Sequence, residues 1–526
     1  MSRHGIDRRE WRIRAAGAES NRPKTKAEET IQTGRPRECG QPEAQVGATA
    51  AARARAERPS MKEGPSFWRK WIVGDRQFYR TVCALMLPIV IQAAVGNFVS
   101  LLDDLMIGQT GTAPMSGVAI VGQLIQVFSI CALGATAAPN IFSTQFHGAG
   151  DVDGIRAAFR FKLAEVLLLT ALALAAFGGF GTRLIRLYLT DGSADAEAAL
   201  GYARAYLSVM LWGLPLLGLK LVYTGTLCSV GETRVPMIAG VAAVSVNLLG
   251  NYVWIFGRFG APALGVRGAA LATVISRCVE LAIVAGYAHR HIDRFPFLRG
   301  AYRSLRVPWA LARPMAVKTG PLLGNEVLWA LGAAMQMQSY SLRGYSVIAA
   351  LNITGAISNL FTVVAMAFGE ATSIIVGQQL GAGELERGKQ TAWKLAIFSA
   401  ACCAAIGGVQ FALAGAIPML YNTEAQVRAL AAQCIRILAL CMPAVSFANC
   451  CYYALRAGGR MGVTFLYDCG VMWGLSVPLA YGLTCLTDWP VASVYASVQA
   501  VFFVKCALGA AFLKRGAWAV NLVGES

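Results

Sequence analysis

The sequence predicts an all-α integral membrane protein with twelve transmembrane helices in two pseudo-symmetric six-helix lobes. Three observations lead to this prediction: an apolar composition, a regular series of apolar segments, and an internal repeat. Of the 526 residues, 56% are hydrophobic and 14% are charged, whereas about a quarter of the residues in a soluble domain are charged. A chain of this composition is expected to lie in a lipid bilayer.

The apolar segments are long enough to cross about 30 Å of hydrocarbon. Several contain Pro or Gly, which membrane helices tolerate where neighbouring groups satisfy the freed backbone. Six segments are expected in the first half of the chain, near residues 82–107, 115–142, 163–181, 203–226, 235–257 and 266–288. Six more are expected in the second half, near residues 314–340, 346–376, 393–416, 430–454, 462–485 and 490–513.

Lys and Arg residues cluster in alternate connections between these segments, a pattern that predicts the cytoplasmic side. They precede the first segment and follow the second, sixth, eighth, tenth and twelfth, and the connection after the tenth contains Arg456 and Arg460. Four arginines depart from this pattern: Arg183, Arg186, Arg258 and Arg343. We therefore expect a multi-pass protein of the cell membrane with both termini in the cytoplasm.

The composition argues against several other classes of protein. The net charge of +18 is spread over short connections, so we expect no nucleic-acid partner. Four histidines are too few and too scattered to predict a metal cluster. The fourteen cysteines lie mostly in apolar segments without CxxC spacing, which is typical of small buried hydrophobic residues.

Three regions are expected along the chain. Residues 1–66 are rich in Arg, Ala, Glu and Pro and contain no apolar segment, so we expect a disordered basic tail. The alternative is that translation starts at Met61 and the preceding residues are not made. A first lobe is expected over residues 67–298 and a second lobe over residues 299–526.

A glycine-rich turn occurs twice and relates the two halves. The stretch HGAGDVDGIRAAFRFKLA follows the second segment at 147–164, and LGAGELERGKQTAWKLA follows the eighth at 380–396. In each copy the glycines are expected to end a helix, and Asp151 or Glu384 is expected to cap the next one. Because six segments separate the copies, both halves keep the same orientation and pair around an axis along the membrane normal.

Several stretches resemble the multidrug and toxic compound extrusion (MATE) family. They are LPIVIQAAVGNFVSLLDDLMIGQTG at 87–111, the two GAG turns, GETRVPMIAGVAAVSVNLLGNYVWIFG at 231–257 with LGVRGAALATVISR at 264–277, and GNEVLWALG at 324–332. The resemblance implies two lobes around a central cleft, and an antiporter that exports small organic, often cationic compounds against an inward flow of H⁺ or Na⁺. We expect a monomer with no cofactor other than this coupling ion.

Asp103, in the first apolar segment, is the main candidate for cation coupling. It matches the aspartate of the family pattern D-x-x-M-x-G. Burial disfavours a charged carboxyl, which lets such a group bind and release a proton near physiological pH. Asp104 is a secondary candidate. The alternative for either acid is simple hydration near the outer interface.

Two asparagines are expected to support Asp103. Asn247 and Asn251 are four residues apart, so both side chains face one side of a helix. The resemblance places them opposite Asp103, with Thr273 close by. Where relatives often have a second acid this chain has Asn251, which removes a charge and weakens a strong Na⁺ site. The amide oxygens could still accept a hydrogen bond from protonated Asp103 or ligate a sodium ion. The alternative is that these amides only hold the helices together.

The second half contains three further acids within apolar segments: Glu326, Glu370 and Asp468. Glu326 matches a glutamate that some family branches use for cation coupling together with an aspartate in the tenth segment. CMPAVSFANC at 441–450 has no acid at that place, so Glu326 is expected instead to contact substrate or to be protonated. Glu370 and Asp468 are candidates for attracting a cationic substrate to the cleft.

Secondary features concern the first helix and the cleft walls. Pro88 is expected to bend the first helix, and the resemblance suggests that the state of Asp103 biases this bend. Glu165 and Glu280 are further acids that could face the cleft, although Glu280 could pair with Arg277. Five side chains are candidates for an adaptable apolar surface: Trp329, Met335, Met337, Phe361 and Met366.

Other functions compete with drug export. An exporter of a specific metabolite, or a flippase for a lipid-linked precursor, is the alternative among transporters. A flippase is expected to have more basic residues in its cleft and extra spans, and the sequence indicates neither. A membrane-embedded enzyme would need a compact catalytic motif such as HExxH, which the sequence lacks. A receptor without transport activity is the remaining alternative.

Overall fold

The computed structural model describes residues 71–189, 194–421 and 423–524. The disordered tail expected for residues 1–66, and the alternative start at Met61, lie outside these described residues. The described residues belong to a single compact unit, Pro65–Ser526.

Twelve long helices form the described part of the chain. The first six are α1 (Arg76–Gly108), α2 (Thr112–Ala149), α3 (Val152–Arg186), α4 (Ala194–Ser229), α5 (Arg234–Phe256) and α6 (Val266–Arg290). The second six are α7 (Trp309–Ser341), α8 (Tyr345–Gly381), α9 (Leu385–Leu413), α10 (Ala425–Ala457), α11 (Met461–Leu486) and α12 (Val491–Arg515). Each helix overlaps one predicted segment, so the predicted all-α, twelve-helix fold is confirmed.

Two helices differ from the rest in character. Eleven of the helices in the described chain are long and apolar enough to cross a membrane, and α7, which carries Lys318 and Glu326, is the one outside this set. In α11 the stretches Leu466–Gly470 and Met472–Ser476 are π-helical. Such turns are frequent at functional sites, and Asp468 lies in the first of them.

The two halves of the chain pack in corresponding ways. Helix α1 packs against α5 and α2 against α4, while α7 packs against α11 and α8 against α10. The contacts of α4 with α6 and of α10 with α12 repeat the correspondence. The halves meet where α2 contacts α7 and α8 and where α1 contacts α8. This is the two-lobed arrangement that the repeat predicts.

The first glycine of each GAG turn lies where the two lobes touch. A Cβ atom on Gly148 would lie 1.9 Å from the carbonyl oxygen of Gln378, and one on Gly381 would lie 1.9 Å from that of Gln145. Only a residue without a side chain allows the backbones of α2 and α8 to approach this closely. The contacts are reciprocal, as expected for lobes related by a pseudo-twofold axis.

The two GAG turns cap their following helices differently. Gly150 follows α2 with a φ of 75°, a left-handed conformation that glycine adopts without strain. Asp151 accepts a hydrogen bond from the Gly154 amide at 2.9 Å, which confirms the predicted cap of α3. The prediction for Glu384 is wrong, because its longer side chain makes no cap hydrogen bond and instead reaches Arg387 at 2.9 Å.

We call the end of the molecule formed by the two GAG turns and residues 516–524 the GAG face. Gln145 is fully buried there. Its amide nitrogen donates to the carbonyl oxygens of Ala457 at 2.8 Å and Val520 at 3.2 Å. Its amide oxygen accepts a hydrogen bond from the Leu522 backbone at 2.7 Å. A first-lobe side chain is therefore tied to the end of α10 and to the segment after α12.

The opposite lobe makes a matching contact at the GAG face. Gln378 of α8 donates to the carbonyl oxygen of Ser229, the last residue of α4, at 3.0 Å. The segment after α12 adds apolar contacts, since Trp518 belongs to a second-lobe hydrophobic cluster and Leu522 packs against a mainly first-lobe one. The lobes are thus joined at this face by both polar and apolar contacts.

Candidate functional site

The first-lobe site is built from α1, α5 and α6 around the carboxylate of Asp103. Asn247 and Asn251 are both buried on α5, and because they are four residues apart their amides project from the same face. The Asn251 amide nitrogen donates to Oδ1 of Asp103 at 2.5 Å. The structure therefore brings Asp103 into direct contact with α5.

Hydrogen bonding sets the orientation of the Asn247 amide. With its nitrogen toward α1, it donates to Oδ1 and Oδ2 of Asp103 at 2.8 and 3.0 Å, and its oxygen accepts from the Thr273 hydroxyl at 3.3 Å. The opposite orientation would direct the amide oxygen at a carboxylate, which has no hydrogen to donate. Two amide donors therefore hold the carboxylate, and Thr273 lies next to them.

Within the part of the chain that the structure describes, no base pairs with Asp103. None of the ion pairs formed by the described residues involves its carboxylate. Amides can donate to a charged carboxylate or, after rotation, accept from a neutral one. The neighbours of Asp103 therefore suit both of its protonation states. Asp104, one residue further along α1, is exposed and is turned by about 100° around the helix.

Tyr206 of α4 extends this site, and sequence reasoning misses it. Its side chain is buried, and its hydroxyl lies near Thr273. Arg277 of α6 lies nearby and donates to the carbonyl oxygen of Gly213 at 3.3 Å. Nothing in the local sequence distinguishes this tyrosine from other aromatic residues in apolar segments, so only the packing of α4 against α6 reveals it.

The second lobe contains two acid–base pairs. Arg456 of α10 donates to Glu326 of α7 at 3.2 Å, and Lys505 of α12 donates to Oδ1 of Asp468 on α11 at 2.8 Å. The other Asp468 oxygen accepts from the Asn325 amide at 3.1 Å. The side chains of Arg456 and Lys505 are each 12% exposed. Both acids are therefore neutralised by a largely buried base.

These bases correct two sequence-based expectations. Arg456 does not lie in a connection, because α10 continues to Ala457 and the guanidinium lies 5.8 Å from the centre of the Tyr452 ring. Lys505 goes unnoticed when Lys and Arg are counted only between segments, although a lysine inside an apolar helix is itself a functional signal. The expectation of few basic residues near the cleft is wrong.

Two cavities border these charged groups. The central cleft, of about 330 Å³, is lined by Glu326, Glu370 and Arg456 from the second lobe and by polar side chains of α2 and α4 from the first. The second-lobe cavity, of about 290 Å³, is lined by Glu326, Arg456, Asp468 and Lys505 together with several aromatic rings. Glu326 and Arg456 thus line both cavities.

Two larger clefts, of about 870 and 990 Å³, lie beside the first turns of α1. They are lined by residues near the GAG face, such as Gln77 and Thr81, and by none of the candidate site residues. Glu326, Glu370 and Asp468 line the two smaller cavities, whereas Asp103 and its amide partners line none of these four cavities.

Other candidate residues fall in different places. Trp329 and Met366 line the second-lobe cavity, whereas Met337 and Phe361 pack in hydrophobic clusters. Helix α1 continues through Pro88, and the bend expected there stays a prediction.

The two remaining acids lie in different surroundings. Glu280 pairs with Lys220 of α4 at 3.2 Å and not with Arg277, whose guanidinium is directed at the α4 backbone. Glu165 of α3 lies near Thr319 of α7, and its Oε2 is buried without a hydrogen-bond partner in the described chain. Glu280 therefore lies within the first lobe, and Glu165 lies at the boundary between the lobes.

A twelve-helix, two-lobed bundle with polar sites inside each lobe and a cleft between them is the architecture of a membrane transporter. The chain belongs to the MatE family, whose sequence profile matches residues 88–253 and 321–482. One match falls in each lobe, in agreement with the internal repeat.

Individual relatives are transporters or drug-resistance proteins by name. The multidrug resistance protein MdtK of Pectobacterium atrosepticum is 27% identical over 426 residues, which cover 78% of this chain and 88% of that protein. The FAD transporter of Shewanella oneidensis is 28% identical over 301 residues, which cover 55% of this chain and 63% of that protein. An outward-facing multidrug resistance MATE family transporter has the same fold, with a TM-score of 0.75 at 17% identity over 84% of this chain and 98% of that one.

Proposed function

We propose that this protein is a cation-coupled antiporter that exports organic, often cationic drugs or toxins from the cytoplasm by alternating access. Its membership of the MatE family, with relatives such as the multidrug resistance protein MdtK, supports drug export. The observation that carries the coupling role is the carboxylate of Asp103, which two amides hold inside the first lobe and which no base of the described residues pairs with.

Protons are the proposed coupling ion in preference to sodium. The amides of Asn247 and Asn251 direct their nitrogens at Asp103, and Asn251 supplies no second negative charge for Na⁺. A proton needs only the carboxyl itself. Within the described chain the oxygen of Asn251 is buried without a hydrogen-bond partner, so the amide could accept a hydrogen bond from protonated Asp103 if its oxygen and nitrogen exchanged places.

The central cleft is the proposed entry site for cationic substrates. Its charged lining consists of Glu326, Glu370 and Arg456, so acids outnumber bases. With both carboxyls ionised, the net negative charge would attract a cation more strongly in surroundings of low polarity than in water. Asparagine and threonine side chains of α2 and α4 offer hydrogen bonds on the opposite wall.

Alternating access would require the lobes to separate at the GAG face. The reciprocal hydrogen bonds of Gln145 and Gln378 close this face, and they would break as one lobe rocks against the other. We place the GAG face in the cytoplasm because of the basic residues around it. On this proposal the protein is a monomer of the cell membrane with lobes at 67–298 and 299–526.

The proposal is tested with Asp103→Asn in reconstituted proteoliposomes. Ethidium, a permanent cation, is loaded against an imposed proton gradient and, separately, against an imposed sodium gradient. For the wild type we expect transport driven by the proton gradient and none by the sodium gradient. For Asp103→Asn we expect the rate of protein-free liposomes, because the variant lacks the carboxyl that is proposed to carry the coupled proton.

Asp104→Asn is the matched control, since it makes the same chemical change on the exposed neighbour. It should retain wild-type transport. Proton-driven ethidium transport that persists unchanged in Asp103→Asn would rule out this carboxylate as the coupling site.

An exporter of a specific metabolite is the second candidate. One relative is described as an FAD transporter, and Arg456 and Lys505 supply positive charges that an anionic metabolite could contact. Competition of FAD with ethidium transport would favour this candidate. A lipid-precursor flippase gains less support, because the described chain has twelve long helices and lacks the extra spans expected of a flippase.

A further inference from the structure

Lys162 of α3 is a buried base that the proposed mechanism does not use. Its side chain is fully buried, and none of the ion pairs formed by the described residues involves it. Its nitrogen, Nζ, lies 2.9 Å from Oδ1 of Asn140, 3.1 Å from the Ser143 hydroxyl and 2.7 Å from the Thr226 hydroxyl. A base inside an apolar helix is a candidate for a functional role.

All three partners of Lys162 act as hydrogen-bond acceptors. The Ser143 hydroxyl donates its one hydrogen to the carbonyl oxygen of Pro139 at 2.8 Å, and the Thr226 hydroxyl donates to that of Val222 at 2.7 Å. The amide oxygen of the third partner has no hydrogen to donate. Nζ therefore supplies three hydrogens, which only the ammonium form has. The surroundings are built for a charged lysine.

This ammonium sets the orientation of the Asn140 amide in the wall of the central cleft. Asn140 lines the cleft, whereas Lys162 does not. Because Oδ1 faces Nζ, the amide nitrogen takes the other position, and within the described chain no group accepts its hydrogens. The reverse orientation would direct an N–H at the ammonium, where neither group could accept. The amide nitrogen is therefore free to donate to a group that enters the cleft.

The Asn140 amide also fits closely against α4. A Cβ atom on Gly225 would lie 2.8 Å from both Nδ2 and Oδ1 of Asn140, well inside the separation of about 3.5–4.0 Å at which non-bonded carbon atoms pack. Gly225 lines the central cleft as well. The lack of a side chain at this position gives the amide a place in which it contacts Lys162 and borders the cleft.

We propose that Lys162 is a positioning residue for substrate binding in the central cleft, an inference that rests on the export function proposed above. Its ammonium holds the Asn140 amide with the N–H groups toward the cleft, where they donate to an acceptor atom of the exported compound. An amide whose oxygen is bonded to an ammonium is polarised, which strengthens the bonds that its nitrogen donates. Lys162 itself touches no substrate, because its own hydrogens are all in use.

Two tetraphenylphosphonium derivatives of nearly the same shape test this inference. One carries a para-acetyl group on one ring, and the other carries a para-isopropenyl group, in which a methylene group replaces the carbonyl oxygen. Each compound is titrated into the detergent-purified full chain without an ion gradient, and binding is measured by isothermal titration calorimetry. The acetyl preference is the ratio of the two dissociation constants. A change of charge near the cleft acts on both cations alike, so this ratio reports the hydrogen bond.

Removal of the donor or of its support should lower the acetyl preference. Asn140→Leu keeps a side chain of similar size without an N–H, and we expect the preference to fall about fivefold. Lys162→Met should lower it about threefold, because the released amide then presents its oxygen to the cleft part of the time. Combined with Asn140→Leu, Lys162→Met should cause no further fall, since it acts only through that amide.

Gly225→Ala keeps the inference falsifiable if Lys162→Met does not fold. It leaves Lys162 and Asn140 in place, but its methyl group displaces the amide, so the acetyl preference should again fall about threefold. The control is Lys220→Gln with Glu280→Gln, which removes a first-lobe ion pair that lines none of the cavities described above. It should leave the preference at the wild-type value.

An unchanged acetyl preference in folded Lys162→Met overturns the inference, as does an unchanged preference in Gly225→Ala. A further fall when Lys162→Met is added to Asn140→Leu also overturns it, because the lysine would then act by another route. The proposed export function is judged separately by ethidium transport. Ethidium transport with an unchanged preference in the variants rejects the positioning role alone. The expected falls without ethidium transport support the role of Lys162 in ligand binding and reject drug export.

Discussion

Asp103 in the first lobe and Asp468 in the second are both acids on apolar helices, yet their neighbours differ. Asp103 contacts the uncharged amides of Asn247 and Asn251, whereas Asp468 contacts the ammonium of Lys505. Protonation of Asp103 would leave only groups that can still hydrogen-bond it. Protonation of Asp468 would leave a largely buried ammonium without its counter-ion.

This difference bears on the coupling role proposed above. A coupling ion has to bind and leave within each cycle, so its site must be stable with and without the ion. On our proposal the amide-lined carboxylate of the first lobe is that site. Neutralising one partner of a buried ion pair leaves the other unpaired at a high cost, so the paired acids of the second lobe are less suited to this exchange.

The largest effect is expected on protein stability when Asp468 loses its partner Lys505. Lys505→Met leaves the carboxylate unpaired although its side chain is only 15% exposed, which should lower the free energy of unfolding by about 3–5 kcal/mol. We expect a clear fall in the unfolding temperature of the detergent-purified protein at a fixed scan rate. Adding Asp468→Asn should recover most of this loss, because no charge is then left unpaired.

Asp103→Asn is the first-lobe counterpart in the same measurement. It removes a carboxylate without leaving any base unpaired, so the unfolding temperature should change far less. Equal losses of stability in Lys505→Met and Asp103→Asn would remove the contrast between the lobes.

An intermediate effect is expected when the first lobe is given a second acid. Asn251→Asp replaces an amide nitrogen by an oxygen beside Asp103 and so creates a pair of carboxylates that Na⁺ can bridge. At a Na⁺ concentration tenfold above the dissociation constant, binding should stabilise this variant by about 1.4 kcal/mol. Thermal unfolding in sodium chloride and in choline chloride of equal concentration measures the difference. A wild type that responds to Na⁺ as strongly as the variant would contradict the proton assignment.

The smallest effect is expected at Asp104. Its side chain is exposed, so Asp104→Asn removes a charge that no site requires. Surface substitutions of this kind usually change stability by less than about 0.5 kcal/mol, and we expect proton-driven ethidium transport within experimental error of the wild type. A loss of transport as large as that of Asp103→Asn would show that the two carboxylates act together.

Apolar periodicity and residue spacing were sufficient to predict much of this molecule. Twelve apolar segments predict the twelve helices because the bilayer sets their length. The spacing of Asn247 and Asn251 predicts a shared face because a helix turns once in 3.6 residues. Both inferences depend only on the length of one segment or on the spacing of residues within it, and both can be read from the sequence.

Features that depend on two distant segments were not predicted. The close approach of Gly148 to Gln378 requires the other lobe to be in place. The partner of Glu326 is Arg456, a residue at the end of an apolar segment, where a base is equally typical of the cytoplasmic surface. Lys505 forms its ion pair with Asp468, which lies on the neighbouring helix.

The proposed role of Asp103 also determines how much net charge one transport cycle moves across the membrane. One carboxyl carries at most one proton per cycle, so exchange for a monovalent cation would move no net charge and would be insensitive to membrane voltage. Exchange for a zwitterion would move one positive charge inward, and a potential of 100 mV would then contribute about 2.3 kcal/mol. The charge of the exported compound, and not a change in the transporter, would therefore determine whether the membrane potential adds to the driving force.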